Sequence, residues 1–387
     1  MNSISPLIRG RKAGFSLVEL LVSVVVLLII MAVIFGIIQE TGSAWKNTTG
    51  KMEGFRNARA AFEAMTRTLN QATLNTYYDY IDSGGNFGSS SSIVGGSFLP
   101  NSYARQSDLH FISGAAGGTS GLLGNSYAWH SGTYTPVTHA VFFQAPLGVV
   151  SSANGSLTSS TGMGSLNNLL NACGFYVAYG PDPSVPTFLP GTLPARYRYR
   201  LMQFVQPSDY LDVYQTPGGI VNASAATVAA QKQWFSKHIS TGYDASSNFV
   251  LAENIVALVI WPKYSAGDQT NANALTTDYG YDTRNAVFTA GSGFNQTFNQ
   301  LPPLLEVVMV ALDEASALKL GNTTTPPNAA VGLTSTIFTS IPQVPAGTPN
   351  QLQTDLQNMQ ATLVAHHLNY RIFQTEVAIP NARWTSH

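Results

Sequence analysis

The chain has 387 residues, of which 10% are charged, and it carries a formal net charge of −1. This length is ample for a large hydrophobic core, but there is no surplus of basic residues for bulk electrostatic binding to nucleic acid. The low charge and the abundance of Gly, Ser, Thr and Asn are typical of an exported, β-rich domain with long polar loops. Cys173 is the single cysteine, which excludes an intramolecular disulfide, and its apolar neighbours predict a buried thiol.

A basic leader precedes a long apolar segment. The charged residues of positions 1–14 are Arg9, Arg11 and Lys12, and the segment from Phe15 to Ile38 is apolar almost throughout. A helix rises about 1.5 Å per residue and needs about 20 apolar residues to cross a bilayer, so this segment predicts a transmembrane helix. The three cations predict that the N-terminus stays in the cytoplasm while the rest of the chain passes outward.

Glu19 is unusual for a membrane anchor because it lies inside the apolar segment. A carboxylate in such a helix costs roughly 2.5–3.5 kcal/mol on insertion scales, so it requires a partner. In one interpretation, Glu19 is close enough to the interface to reach water or to stay protonated. In the other, it pairs with the free amine at the start of a neighbouring helix, which requires cleavage just before Phe15.

The hexapeptide Gly-Phe-Ser-Leu-Val-Glu at 14–19, with cations before it and an apolar helix after it, resembles the type IV prepilin signal, or class III signal peptide. The resemblance implies that a membrane-embedded aspartyl peptidase, the prepilin peptidase, cuts after Gly14 and methylates Phe15. It also implies that Glu19 complements the N-terminus of an adjacent subunit. A secretory signal peptide would instead have a shorter apolar core followed by a small-residue cleavage site. Loss of three cations with the leader would change the net charge from −1 to −4.

An amphipathic helix is predicted to follow the apolar segment. The apolar residues that recur at spacings of three and four are Met52, Phe55, Ala58, Phe62, Met65, Leu69 and Ala72. Gly42 and residues 47–50 mark a kink or break before this stripe. On the opposite side, Arg59–Glu63 and Glu63–Arg67 are spaced as i,i+4 ion pairs. The stripe therefore predicts a globular head that covers it.

Strands dominate the rest of the chain. Seven are predicted from apolar or alternating runs, at Ser107–Ile112, His139–Gln144, Gly174–Tyr179, Tyr197–Val205, Asn254–Trp261, Leu304–Ala311 and Asn369–Ile379.

Short helices and long loops separate the strands. The predicted helices are Ala225–His238, Asp313–Ala317 and Leu352–Leu363. The segments that read as loops or linkers are 81–135, 151–168, 181–194 and 321–349.

The candidate metal ligands are few. Larger secretion pseudopilins bind calcium in loops, but here only Asp278 and Asp282 are close together, without an Asp-x-Asp-x-Asp-Gly pattern. The adjacent His366 and His367 point in different directions, so they are poor joint ligands. No metal and no other cofactor is predicted.

A second resemblance concerns the head. The Leu-Pro-Pro run at 301–303 that leads into 307–314, together with Tyr370–Phe373 and Asn381–Trp384, resembles Verru_Chthon cassette protein C, a prepilin-type family of Verrucomicrobia and relatives. The strand order and the Arg-rich second half of the first helix are similar to the minor pseudopilin J of type II secretion.

Catalytic motifs are absent from the sequence. It contains no Gly-x-Ser-x-Gly elbow, no His-Glu-x-x-His, no P-loop and no Cys-x-x-Cys. The Gly-x-Gly runs at 162–164 and 291–293 lack the third glycine of a dinucleotide-binding loop. We therefore expect a protein that is not an enzyme.

These observations predict an α+β, pilin-like fold, with a long N-terminal transmembrane and amphipathic helix packed on a mainly antiparallel β-sheet head with long loops. The predicted segments are a leader (1–14), a transmembrane helix (15–40), an amphipathic helix (41–80) and a periplasmic head (81–387). The expected function is that of a minor pseudopilin in the inner membrane. Its expected partners are prepilin peptidase, other pilin or pseudopilin subunits and inner-membrane lipid. A filament-displayed adhesin and a simple single-pass membrane-anchored periplasmic protein are the alternatives.

Overall fold

The computed structural model describes residues 16–130, 132–151, 168–183, 195–239, 247–263, 279–290, 292–339 and 351–383. The chain divides into two compact units, Met1–Met52 and Glu53–His387. The helices of the described residues are α1 (Leu17–Asn70), α2 (Ser90–Val94), α3 (Ala225–Gln231), α4 (Gln233–Ile239), α5 (Glu314–Lys319) and α6 (Gln351–Ala365).

The strands fall into two main sheets and three short pairs. They are β1 (Tyr77–Ile81), β2 (Ser102–Gln106), β3 (Ile112–Ala115), β4 (Tyr127–Trp129), β5 (Gly132–Pro146), β6 (Leu170–Gly180), β7 (Arg198–Gln206), β8 (Ile220–Val221), β9 (Asn248–Glu253), β10 (Ile255–Lys263), β11 (Tyr281–Asp282), β12 (Asn285–Ala286), β13 (Phe288–Thr289), β14 (Gly293–Phe294), β15 (Leu304–Leu312) and β16 (Tyr370–Ala378). The larger sheet has the order β11-β3-β5-β6-β7-β9 with β4 on β5, and the smaller has the order β10-β15-β16. Pairing in both sheets is antiparallel, and the short β8–β12 pair is parallel. The predicted α+β class with a mainly antiparallel sheet is confirmed.

Helix α1 differs from its prediction at two places. It continues through Gly42 and residues 47–50, so of the predicted kink or break the break is wrong; weak helix formers cost only about 1 kcal/mol each and do not end a long helix on their own. It also ends at Asn70 rather than near residue 80. Gln71 and Ala72 close tight turns onto Thr68 and Leu69, and the next amide bonds to the sheet. The tyrosine-rich stretch that follows forms β1, as aromatic residues favour strands.

The apolar stripe of α1 is buried over most of its predicted length. Ala58, Phe62, Met65 and Leu69 lie in the core, whereas Met52 is exposed. Phe62 packs near Phe373 of β16, with ring centroids 5.8 Å apart. On the solvent side Arg59 Nε lies 2.9 Å from Glu63 Oε1, which confirms one of the two predicted ion pairs.

The larger sheet is covered on both faces. Phe175 and Val177 of β6 belong to a core cluster shared with the smaller sheet and with α1, while Tyr176 and Ala178 belong to a second cluster with α4. Trp234 is one of the α4 residues in that second cluster. Burial of both faces explains why β6 reads as a nearly continuous apolar run.

A bulge in β5 joins the two sheets. The register of β5 against β6 shifts between Val137 and Ala140, and Thr138 adopts a positive φ of 56°. Thr138 Oγ1 accepts a hydrogen bond from the backbone N–H of Leu258 at 3.0 Å. Strand β10 is an edge of the smaller sheet, so this amide would otherwise lack a ladder partner.

One predicted strand, Ser107–Ile112, is wrong. Only its last residue enters β3, and the rest is irregular. Its backbone amides bond to side chains instead of a ladder: Asp108 N–H donates to Asn75 Oδ1 (3.0 Å), His110 N–H to Gln144 Oε1 (2.8 Å) and Phe111 N–H to Thr283 Oγ1 (3.0 Å). The other six predicted strands correspond to β5, β6, β7, β10, β15 and β16.

Three further predictions need adjustment. Residues 225–238 form two helices, α3 and α4, rather than one. The segment 81–135, predicted as loop-rich, contains α2, β2, β3 and β4. The predicted linker 321–349 is packed where it is described, because Val331, Leu333 and Phe338 are buried. The helix predicted at Asp313–Ala317 is confirmed as α5, with Asp313 Oδ1 capping Ser316 N–H at 2.8 Å.

Candidate functional site

The predicted processing signal is described from Ser16 onward. The Ser16 carbonyl accepts a hydrogen bond from the N–H of Leu20 at 3.1 Å, and α1 begins at Leu17. Glu19 therefore lies in the first turn of α1, where unpaired backbone N–H groups favour a carboxylate.

The other predicted site residues are Arg9, Arg11, Lys12, Gly14 and Phe15, and all of them lie outside the described residues. The cleavage bond and its pairing with Glu19 therefore stay predictions.

Glu19 heads a stripe on one face of α1. The residues of this stripe are Glu19, Val22, Ser23, Val26, Leu27 and Ile30. Ser23 Oγ donates to the Leu20 carbonyl at 2.8 Å, so its hydroxyl is satisfied within the helix. Glu19 is the single charged side chain between residues 16 and 39. The stripe thus offers one ionisable acceptor on an otherwise apolar surface.

The segment Leu17–Gly42 is the one helix of the described residues that is long and apolar enough to cross a membrane, judged by length and composition. Its large apolar side chains, from Leu17 to Ile38, are 45–82% exposed. An apolar surface of this extent needs lipid or other helices around it.

The head contains a buried His–Asp pair that resembles the base and the acid of a catalytic triad. His110 Nε2 lies 2.8 Å from Asp282 Oδ1, and His110 Nδ1 accepts a hydrogen bond from Trp234 Nε1 at 3.0 Å. An indole N–H can only donate, so His110 is the neutral tautomer with its proton on Nε2. Burial lowers the pKa of His110 despite the nearby carboxylate. Neither ring nitrogen is available to activate a nucleophile, so the pair links β11 to α4 rather than forming a general base.

Three arginines and three carboxylates form a second polar cluster. Arg200 Nη1 donates to the carbonyls of Gly180 (2.8 Å) and Pro181 (3.0 Å), and its Nη2 pairs with Asp182. Arg196 Nε lies 3.1 Å from Asp182 Oδ2 and its Nη2 lies 3.1 Å from Glu253 Oε2.

The same cluster reaches α5, the helix that follows β15. Arg198 Nη2 lies 3.4 Å from Glu314 Oε1, and Asn254 Nδ2 donates to Glu314 Oε2 at 2.7 Å. Equal numbers of each sign, with Arg200 fully buried, indicate a structural cross-link between β7, β9 and α5 rather than a ligand site.

Within the described ranges, no group of three or more His, Cys, Asp or Glu side chains is placed to hold a metal ion. Asp282 is paired with His110, and Asp278 lies outside those ranges. His366 and His367 are exposed. Cys173 is buried as predicted, and burial raises the pKa of its thiol.

One feature of the head was missed from the sequence. A cleft of about 380 Å³ lies between the β1–β2 hairpin and the β13–β14 hairpin. Its lining includes Tyr78, Tyr103, Arg105, Phe288, Phe294 and Phe298. We call this feature the tyrosine cleft. Its one sequence signal is the Tyr-Tyr-Asp-Tyr run at 77–80, which lies at the end of the predicted amphipathic helix (41–80).

Comparison with known proteins gives one match. Residues 9–35 match the family model described as the prokaryotic N-terminal methylation motif. No curated protein and no solved structure matches the chain. The matched residues include 14–19 and the first part of α1.

This motif indicates a type IV pilin-like, prepilin-type protein, a structural subunit anchored in a membrane by its apolar helix. It also implies processing by a prepilin peptidase and assembly with other pilin subunits. The resemblance of the head to Verru_Chthon cassette protein C stays a prediction.

Proposed function

We propose that the chain is a non-catalytic minor pseudopilin of a type II secretion or type IV pilus-like filament. The observation that carries this proposal is the methylation motif at residues 9–35, which runs directly into α1 and places Glu19 in its first turn. A methylation motif that contains a lone carboxylate and continues into an apolar helix is what a cleaved, membrane-stored subunit requires.

Processing comes first. The cations Arg9, Arg11 and Lys12 hold the leader in the cytoplasm, and prepilin peptidase cuts between Gly14 and Phe15 and methylates the new amine. The helix then waits in the inner membrane with the head in the periplasm.

Assembly moves the exposed apolar segment Leu17–Gly42 from lipid into a filament core, where helices bury one another. Glu19 there meets the N-terminal ammonium of a neighbouring subunit. A charge that is left without its partner in an apolar bundle is strongly unfavourable. The need to pair Glu19 with the ammonium therefore selects one axial register between subunits.

Two properties favour a minor over a major subunit. The unit Glu53–His387 is large, and long connections separate several of its helices and strands. A major subunit must pack against many identical copies, which such loops would hinder.

Chemical cross-linking in living cells, followed by purification of the full chain from membranes, tests the proposal. We expect cross-linked products with other chains that carry the same N-terminal motif. Recovery of the chain without such partners, from cells that assemble the filament, would contradict a subunit role and favour a single-pass anchored protein.

A filament-displayed binding head is the second candidate function. The tyrosine cleft favours it, because exposed aromatic side chains beside a cleft are typical of a ligand site.

A further inference from the structure

The β1–β2 hairpin exposes tyrosine side chains on one face. Tyr78 is 65% exposed, Tyr103 63% and Tyr80 48%. In the strand register Tyr78 lies opposite Arg105 and Tyr80 lies opposite Tyr103, so these four side chains share one face of the pair. The rings of Tyr80 and Tyr103 have centroids 4.7 Å apart and hydroxyls 3.3 Å apart. The hairpin therefore presents a broad aromatic surface to solvent.

This surface continues into the tyrosine cleft. Phe294 stacks on Phe298 with centroids 4.5 Å apart, and Phe288 meets Phe294 edge-on at 5.2 Å. These packed rings form an apolar wall opposite Tyr78 and Tyr103. The three phenylalanine rings thus hold one another in place, as do the rings of Tyr80 and Tyr103, before any ligand arrives, which lowers the entropy cost of binding.

Polar side chains without a negative charge accompany the aromatic rings. The lining also includes Asn101 and Ser102, whose amide and hydroxyl both donate and accept hydrogen bonds. Arg105, which is only 8% exposed, is the one charged side chain among the described residues around the cleft, and none of these residues is a carboxylate. The electrostatics therefore favour a ligand with negative charge.

We propose that the tyrosine cleft binds an oligosaccharide that carries a carboxylate. The C–H faces of its pyranose rings stack on Tyr78 and Tyr103, whose ring faces are electron-rich. Its hydroxyls bond to the amide of Asn101 and the hydroxyl of Ser102, and its carboxylate is directed toward Arg105. The site lies within the head, and its existence does not depend on leader processing or filament assembly.

Other ligand classes fit less well. A helical peptide needs a continuous apolar groove, whereas the lining here combines aromatic rings with polar side chains. A single-stranded nucleic acid needs a groove with many cations, and this lining supplies one. A protein interface buries about 1,200–2,000 Å² in total, but a cleft of about 380 Å³ has the size of a small-ligand site.

Isothermal titration calorimetry on the full chain, in a detergent without a sugar headgroup, tests the proposal. The probe is trigalacturonate, and maltotriose of the same length is its neutral counterpart. We expect saturable binding of trigalacturonate, at least fivefold weaker binding of maltotriose, and at least a tenfold loss of trigalacturonate affinity in Tyr78→Ala and in Tyr103→Ala. The matched control is Tyr210→Ala, since Tyr210 is 57% exposed and does not line the cleft.

Both cleft tyrosines are more than 60% exposed, so their truncation leaves the core intact, and an unchanged melting temperature verifies this. No saturable binding of either sugar, or binding that neither substitution weakens, would overturn the proposal. Equal affinity for maltotriose would overturn the role given to the carboxylate. Absence of sugar binding together with loss of cross-linking to pilin-like chains in Tyr78→Ala would identify a protein interface and would also overturn it.

Discussion

His139 on β5 accepts a hydrogen bond from the backbone N–H of Ile260 on β10, with 3.1 Å between Nδ1 and N. On the other side of the ring, Nε2 lies 2.8 Å from the Phe338 carbonyl oxygen. A carbonyl can only accept, so the proton is on Nε2 and the ring is neutral. One imidazole thus joins the larger sheet, the smaller sheet and the segment before α6.

This arrangement predicts acid sensitivity of the head. Burial lowers the pKa of His139 to about 4, against about 6.5 for an unfolded chain. Between these values the unfolded state binds the proton and the folded state does not, so the free energy of unfolding falls as pH falls from about 6.5 to 4, by about 3 kcal/mol. The stabilisation that comes from keeping His139 neutral is fully present above about pH 6.5. Guanidinium titrations of the full chain at several pH values measure this slope.

His139→Gln provides the comparison for that experiment, because it removes the titrating group. Burial also lowers the pKa of His110, which adds a slope of the same sign in both proteins. The difference between the two proteins therefore isolates His139. Identical pH slopes for the two would show that His139 is not held neutral.

The arginine cluster predicts a contrast between two similar substitutions. Arg200 is fully buried and contacts two carbonyls and Asp182, whereas the Arg196 side chain is 42% exposed. A lysine cannot reproduce the planar fork of Arg200. We expect Arg200→Lys to lower the free energy of unfolding by about 2–3 kcal/mol. Arg196→Lys should cost less than about 1 kcal/mol because water screens it. Equal losses would mean that the buried contacts of Arg200 contribute nothing specific.

Gly174 on β6 lies against the Phe142 ring, which occupies the space that a Cβ atom would fill. The backbone oxygen of Val141 would lie 3.0 Å from that Cβ, so the strand cannot shift freely. We expect Gly174→Ala to destabilise the head by about 1–3 kcal/mol through overpacking. Gly54 in α1 has open space around its Cβ position, and Gly54→Ala should stabilise by up to about 1 kcal/mol. Thermal unfolding of both variants measures these opposite changes in stability. A Gly174→Ala variant as stable as the wild type would contradict the described packing.

Glu19→Gln tests the proposed assembly role. We expect normal cleavage and membrane insertion, because the motif and apolar helix are retained, but at least a tenfold drop in the amount found in sheared filaments. The amide cannot pair with an ammonium as a carboxylate does. Glu53→Gln, which changes an exposed carboxylate of the same helix, should assemble normally. Wild-type incorporation of Glu19→Gln would remove the register-selecting role of Glu19.

Much of the head was predictable where local composition alone decides structure. The apolar runs of β10 and β15 were assigned within two residues at each end, because strands buried on both faces carry an uninterrupted signal. Glu19 stood out for a similar reason, as one charge within an apolar helix.

The failures involve partners that are distant in the chain. Residues 107–111 do not form the predicted strand because their backbone N–H groups donate to the side chains of Asn75, Gln144 and Thr283. No local sequence pattern predicts that these distant side chains lie there. The tyrosine cleft escaped prediction because its walls come from hairpins about 200 residues apart, which only the folded chain brings together. The buried Arg200 was likewise unexpected, since its carbonyl and carboxylate partners become apparent only in the fold.

The intact mass and N-terminal sequence of the protein, purified from its own membranes, test directly whether this chain is a processed prepilin-type subunit. We expect a chain that begins at N-methylated Phe15, in cells whose prepilin peptidase is active. A chain that still carries Arg9, Arg11 and Lys12 in those cells would contradict it, and would leave Glu19 without the amine that its assembly role requires.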